Sequence, residues 1–331
     1  MGTPPAPLEH MLTAPVAGLS VVVPVYNSEQ SLPILCVRLS HVLPQIAARF
    51  ELILVNDGSR DRSWQTIQAL GQQYPWLRGV NLMRNYGQHN ALLCGIREAR
   101  EELIVTMDDD LQHPPEQIPI LLDKLARGYD VVYGTPTAEQ HGAFRDLASR
   151  ITKLVLQGAM GAETATKVSA WRVMRRDITR AFDSYQNSFV SIDVLLTWGT
   201  TRFSWVPIRH EARTVGTSNY TVSRLIRHAL NMVTGFSTAP LQLASLVGFF
   251  FTLFGIAVLA YVVVRYFVSG DSMPGFPFLA SVIAIFSGAQ LFALGIIGEY
   301  LARIHSRSMD RPAYVVRGST PPLPTPSDVT S

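Results

Sequence analysis

The chain of 331 residues has only two cysteines, Cys36 and Cys94, far apart and each inside an apolar stretch. Two such residues form neither a disulfide framework nor the paired spacing of a thiolate metal site, so both are read as core residues. Charge is sparse as well. Asp, Glu, Lys and Arg together make up 16%, and the formal net charge is +3. So weak a basic balance argues against a general nucleic-acid binder, which needs a concentrated positive face. Residues 1–17 are Pro-rich and lack the basic-then-apolar order of an export signal. They read as a disordered leader, and the domain behind them is expected to stay in the cytoplasm.

What is present divides in two. Up to about residue 160, short β-rich runs alternate with helical patterns. Leu19–Val25, Glu51–Asn56, Leu77–Met83, Leu103–Met107 and Asp130–Gly134 read as strands. Ser28 is placed to cap the helix after the first strand, Ala91–Ala99 reads helical, and Pro114-Pro115 opens another helix. Strands joined by crossover helices predict a Rossmann-like α/β domain with a mostly parallel sheet. In such sheets ligands bind beyond the carboxyl ends of the strands.

The last third is different. Leu241–Val264 and Ser272–Gly298 contain no charged residue, and each exceeds the roughly 20 residues needed to span a bilayer as a helix. Two transmembrane helices, at about 241–265 and 276–300, are expected to form a C-terminal hairpin. Arg224, Arg227, Arg303, Arg307 and Arg311 flank its outer ends, and Arg265 alone lies between the spans. That bias puts both ends on the cytoplasmic side. Tyr220–Phe236 mixes apolar residues with Arg224, Arg227 and His228. It either rests on anionic headgroups as an interfacial helix or packs on the catalytic domain. The expected plan is a leader (1–17), a catalytic domain (18–218), an interfacial region (219–238), the two spans (239–302) and a cytoplasmic tail (303–331).

The strand ends carry the chemistry. The run Met107-Asp108-Asp109-Asp110-Leu111-Gln112-His113-Pro114-Pro115-Glu116 follows an apolar strand. If it is extended, alternation puts Asp108, Asp110 and Gln112 on one face and Asp109 on the other. Hard oxygen donors beside a diphosphate suit Mg²⁺ or Mn²⁺, which would offset charge on a departing nucleoside diphosphate. An acidic surface turn is the alternative. The segments Val23–Glu29 and Val55–Ser59 follow the first two strands and should lie side by side. Asp57 can accept hydrogen bonds from a base or ribose, and Tyr26 can pack along a ring; a plain Asp-Gly turn is the alternative.

Together these segments resemble the family-2 glycosyltransferases of the GT-A fold, in the branch that loads sugars onto polyprenyl phosphates. The resemblance covers roughly residues 18–305. It rests on Val-Pro-Val-Tyr-Asn at 23–27, Asn-Asp-Gly-Ser at 56–59, Arg-Asn-Tyr-Gly-Gln at 84–88 and, most specifically, Asp-x-Asp-Leu-Gln-His-Pro-Pro-Glu at 108–116. It implies a metal held by Asp108, Asp110 and Gln112. It implies a nucleotide-sugar donor on Pro24, Tyr26, Asn27, Glu29, Asp57, Gln88, Asp108 and Asp109. It also implies a lipid phosphate bound by Arg145, Ser149 and Arg213, in a bacterial inner-membrane enzyme that faces the cytoplasm and forms a homo-oligomer, a tetramer.

The chain departs from the family pattern in places. Thr166 stands where an Asp is usual, Ser169 for Gly, Asn219 for Lys and Asp109 for Ala. The first change leaves a protein general base unassigned. Two rival functions are a processive polysaccharide synthase and a non-catalytic nucleotide-sugar sensor. The synthase expects Gln-x-x-Arg-Trp and a larger channel, and none of the five tryptophans fits that motif.

Overall fold

The structure, a computed structural model, describes residues 14–136, 160, 162–187, 189–209, 239–269, 275–309 and 311–320. The chain separates into two compact units, one holding the described residues up to Arg209 together with Arg311–Thr320, the other holding the two long helices.

The first unit is an α/β sheet of eight strands. In chain order they are β1 (Val16–Val25), β2 (Ala47–Asn56), β3 (Leu77–Leu82), β4 (Leu103–Thr106), β5 (Val131–Pro136), β6 (Arg172–Arg175), β7 (Phe203–Ile208) and β8 (Val316–Thr320). Their order across the sheet is β7-β5-β6-β4-β1-β2-β3-β8. The pairs β1–β2, β1–β4, β2–β3 and β5–β7 are parallel; β6 pairs antiparallel with β4 and β5, and β8 with β3.

Four helices pack on this sheet: α1 (Ser31–Ile46), α2 (Ser63–Gln73), α3 (Gln88–Glu98) and α4 (Ile118–Ala126). Central parallel strands are covered on both faces, so they read as unbroken apolar runs rather than alternating ones. Leu19, Val21, Val22, Val23 and Val25 of β1 are fully buried, as are Leu52, Ile53, Leu54 and Val55 of β2. α3 lies close enough that a Cβ on its Gly95 would come 2.3 Å from Val22 Cγ1 and 3.0 Å from Val55 Cγ2. Gly95→Ala should therefore overpack the α3–sheet contact and cost about 1–3 kcal/mol. The expected result is a lower unfolding midpoint in a denaturant titration.

The five strands expected from sequence all form, within a few residues of their expected ends. Three smaller features differ. Ser28 does not cap α1 through its side chain: α1 begins at Ser31, and the Ser28 hydroxyl turns to Asp109 instead. Pro115–Gln117 is a single 3-10 turn, η1, that leads into α4. The expected C-terminal tail contributes β8, which covers the outer edge of β3.

Among the described residues this unit also has two short helices, α5 (Ala162–Thr166) and α6 (Ile192–Gly199), with a 3-10 segment, η2 (Arg176–Phe182), between them.

The second unit is a pair of long helices, α7 (Ala239–Ser269) and α8 (Gly275–Ser308). They pack on each other, with the Phe251 and Phe286 rings 5.7 Å apart edge to face and Gly255 against the Phe286 ring. Among the described residues, Ile285–Ala302 of α8 is long and apolar enough to cross a membrane. The described apolar run of α7, Ala244–Val258, is shorter. The spans expected at about 241–265 and 276–300 fall on α7 and α8, and among the described residues one stretch, on α8, meets this length and composition.

Candidate active site

The strand order reverses at β1, which has β2 on one side and β4 on the other. Loops leaving β1 and β4 on opposite sides of such a point open a crevice between them. The residues singled out from sequence gather at this end of the sheet.

Val25 and Asn56 are paired at the ends of β1 and β2, and Asp57 N–H donates to Val25 O at 2.9 Å. The two following loops are stitched together. Asn27 takes a left-handed backbone, φ 57°, which an Asn tolerates better than most residues. Its N–H donates to Ser59 Oγ at 3.0 Å, and its Oδ1 accepts from Arg60 N–H at 2.8 Å. Glu29 Oε2 accepts from Arg62 N–H, and Ser28 N–H donates to Ser63 Oγ. Pro24 lies inside β1 and is buried; the Tyr26 ring beyond it is 42% exposed, free to stack on a planar ligand.

Asp57 is only 2% exposed. Burial pushes its carboxyl up from the usual range, partly offset by two backbone donors. Tyr86 N–H reaches Oδ1 at 2.7 Å and Gly87 N–H reaches Oδ2 at 2.8 Å. The carboxylate expected to meet a nucleotide thus also organises the Arg84–Gly87 loop. Gly58, at φ 63°, lets that loop pass close by, since a Cβ there would sit 2.5 Å from Arg84 C and Asn85 N.

The acidic run does not keep the extended form expected of it. β4 ends at Thr106, and Leu111, buried at 5% exposure, has φ 62°. A left-handed leucine is strained, and such strain collects at functional sites. Leu111 stands between Asp110 and Gln112, so alternation does not carry through to Gln112, and the three acids each have their own partners. Asp108 Oδ1 accepts from Gln88 Nε2 at 2.7 Å. Asp110 Oδ1 accepts from Gln112 N–H at 3.1 Å. Asp109 turns the other way and binds the β1 loop through Tyr26 N–H and the Ser28 hydroxyl. Burial pushes its carboxyl up to about 6 despite these bonds. Among the described residues no three His, Cys, Asp or Glu side chains converge as a ready-made metal cage.

Behind this run, His113 is 6% exposed and stacks on the fully buried Trp171, ring centroids 5.2 Å apart. Ser169, the residue in place of Gly, donates to Gly134 O and Trp171 O and accepts from Trp171 N–H. A further group is not evident from the sequence. Arg172, 1% exposed, pairs with Asp193, which also accepts from Tyr133 Oη at 3.0 Å. Burial and that neighbouring carboxylate hold the Tyr133 phenol well above its ordinary range. A lone acid in the apolar stretch Val190-Ser191-Ile192-Asp193-Val194-Leu195 is the one available signal. Next to it, Ile192 N–H donates to His89 Nδ1 at 3.3 Å, which ties α6 to the start of α3.

Arg145, Ser149 and Arg213, and the segment Tyr220–Phe236, lie outside the described residues.

Residues 20–182 match the glycosyl transferase family 2 domain. Proteins named undecaprenyl-phosphate 4-deoxy-4-formamido-L-arabinose transferase align with nearly the whole chain. The one from Pseudomonas aeruginosa is 36% identical over 318 residues, 94% of each chain. The one from Yersinia enterocolitica is 35% identical over 302 residues, 90% of this chain and 92% of that one. The chain belongs to glycosyl transferase family 2. The fold of this family-2 transferase also resembles solved glucosyl-3-phosphoglycerate synthase from Mycobacterium tuberculosis, a structure with Mn²⁺ and uridine diphosphate. The TM-score is 0.51 at 19% identity, covering 66% of this chain and 78% of the other. That likeness establishes the GT-A fold.

Proposed function

We propose that this glycosyltransferase moves a sugar from a nucleotide sugar, UDP-linked, to undecaprenyl phosphate or a related polyprenyl phosphate with inversion. The products are a polyprenyl-phosphate sugar and a nucleoside diphosphate. The observation that carries the reading is the end-to-end similarity to transferases named for undecaprenyl phosphate. It runs through both the strand-end site and the long helices.

The donor end is assigned to Pro24, Tyr26, Asn27, Glu29, Asp57, Gln88, Asp108 and Asp109. Tyr26 offers an exposed ring for the base, and Asp57 holds the loop that carries Gln88. Asp108, Asp110 and Gln112 would hold Mg²⁺ or Mn²⁺. Two carboxylates and a carboxamide are hard oxygen donors, and Mg²⁺ is typically held by one or two carboxylates plus substrate phosphates rather than by a closed protein cage. When bound, the ion supplies positive charge beside the diphosphate.

In the proposed step, a phosphate oxygen of the acceptor forms a bond to the anomeric carbon as the bond from that carbon to the diphosphate breaks, in line. A phosphate monoester already carries about −1.5 to −2 charge near neutral pH. No proton need be removed from the attacking oxygen, so Thr166 in place of an acid is compatible with turnover. Arg145, Ser149 and Arg213 are assigned to the acceptor phosphate, which guanidinium forks suit.

The second unit is assigned to the bilayer. Phe249, Phe250, Phe254, Leu291, Phe292 and Leu294 are all more than half exposed on α7 and α8, a surface that suits lipid. We assign it to the bacterial inner membrane, with the catalytic domain in the cytoplasm. Gly248, Gly288, Gly295 and Gly298 have open space around them, which leaves room for a neighbouring helix in a homo-oligomer, a tetramer.

The test is a release assay with detergent-purified protein, undecaprenyl phosphate and Mn²⁺ or Mg²⁺ against a panel of UDP-, GDP- and dTDP-sugars. Glycolipid and nucleoside diphosphate should form together with one donor and stop on adding EDTA. Nucleotide binding without product on any prenyl phosphate would favour the sensor instead.

A further inference from the structure

Nothing in the sequence pattern marks the segment after α8 as functional, yet residues Ala313–Arg317 touch both ends of the element that carries Gln88. At the front end, Val315 O accepts from Met83 N–H at 2.9 Å, and Arg317 Nη2 donates to Met83 O at 3.3 Å. Met83 is the last residue before the Arg84–Gly87 loop. The pairing of β8 with β3 slips in register between Asn81 and Leu82, next to this point. An irregular pairing of that kind re-aims the chain that leaves it.

At the back end of α3, Arg97 Nη1 lies 3.5 Å from Tyr314 Oη, with the guanidinium carbon 5.8 Å from the Tyr314 ring centre. The same guanidinium donates from Nη2 to the carbonyls of Asp183 and Tyr185, at 2.7 and 2.6 Å. Ala313, 2% exposed, buries the start of the segment just before these contacts.

Between the two ends lie the groups of the donor site. The loop gives Tyr86 N–H and Gly87 N–H to Asp57, and Gln88 reaches Asp108. The loop is squeezed on its inner side by Gly58. Its outer root is held by two bonds at Met83, both to residues that follow α8 in the chain.

We infer that Ala313–Arg317 is a clasp that sets the position of the Arg84–Gln88 loop, with Tyr314 and Arg317 as positioning residues for donor binding. The clasp's role in donor binding rests on the proposed donor assignment. Chain beyond the long helices would then be part of the donor site's support, not a passive tail.

The experiment uses full-length protein in detergent carrying Tyr314→Ala and Arg317→Ala together, with a chain stopped after Thr320 as control. Hydrogen exchange by mass spectrometry should show residues 84–88 exchanging at least about tenfold faster in the double variant, with β1 and β2 still protected. The donor KM should rise about tenfold while kcat at saturating donor changes less than about twofold. Arg317→Lys keeps a donor within reach of Met83 O and should restore slow exchange relative to Arg317→Ala. The control should match the parent. Unchanged exchange at 84–88 with protected β1 and β2 overturns the inference. If the double variant also loses protection in β1 and β2, Arg317→Ala alone decides by the same reading. A parent protein that binds no UDP in titration would refute the donor assignment, and the exchange data would still decide the clasp.

Discussion

Replacing Asp108 by Asn should lower turnover on the order of 10²- to 10³-fold while the protein stays folded. The choice of Asn separates two roles that Ala would confuse. Gln88 Nε2 donates to Asp108 Oδ1, and an Asn oxygen can accept the same bond. The local geometry therefore survives in Asp108→Asn, and only the negative charge is lost. Asp110→Asn repeats the logic, since its Oδ1 accepts from Gln112 N–H and an amide oxygen can do the same. If the two carboxylates hold a divalent ion beside the diphosphate, both variants fail about equally and respond weakly to added Mn²⁺. Asp109 makes the opposite prediction. Its oxygen binds Tyr26 N–H and the Ser28 hydroxyl, so its work is to join the β1 and β4 loops. Asp109→Asn should keep most activity, whereas Asp109→Ala should raise the donor KM. Normal turnover in Asp108→Asn and Asp110→Asn, measured by nucleoside diphosphate release, would overturn the metal assignment.

The contrast among these three neighbours shows where sequence reading stops. Strands β1 to β5 were legible because burial on both faces writes itself as a run of Val, Ile and Leu. β6 reads Arg-Val-Met-Arg, β7 contains Pro207 and β8 reads Val-Arg-Gly-Ser-Thr. β7 and β8 are the two edges of the sheet, where Pro and polar residues are tolerated and no pattern marks a strand. β6 is central, but the charge of Arg172 is compensated by Asp193, 21 positions further on, which no local pattern reveals. In the site, position was legible and partnership was not. Asp57 and the acidic run stand at strand ends, so their location followed from the strands. That Asp57 would bind the N–H groups of Tyr86 and Gly87, or that Asp109 would bind Ser28, depends on loops meeting in space. The left-handed turn at Leu111 falls between Asp110 and Gln112, where an extended chain would have kept the alternation going.

Asp193→Ala should be among the most destabilising single changes in this unit, at about 3–5 kcal/mol. The cost arises from what is left behind. Arg172 is 1% exposed and cannot shed its proton, so without Asp193 it is a buried charge with no counter-charge among the described residues. The Tyr133 hydroxyl, in a fully buried residue, loses its acceptor at the same stroke. Removing both charges is a different matter. Arg172→Met with Asp193→Leu replaces the pair by apolar side chains, and such replacements are often neutral or stabilising. The double variant should therefore unfold at a denaturant concentration well above that of Asp193→Ala. Function should separate from stability at this pair. Asp193 follows Ile192, whose N–H holds His89 beside Gln88 at the head of α3. A double variant that recovers stability but keeps a raised donor KM would show that the ion pair also aims α6 at the donor site. Recovery of both would make the pair a packing element alone. A double variant no more stable than Asp193→Ala would refute the stranded Arg172 charge as the origin of the cost.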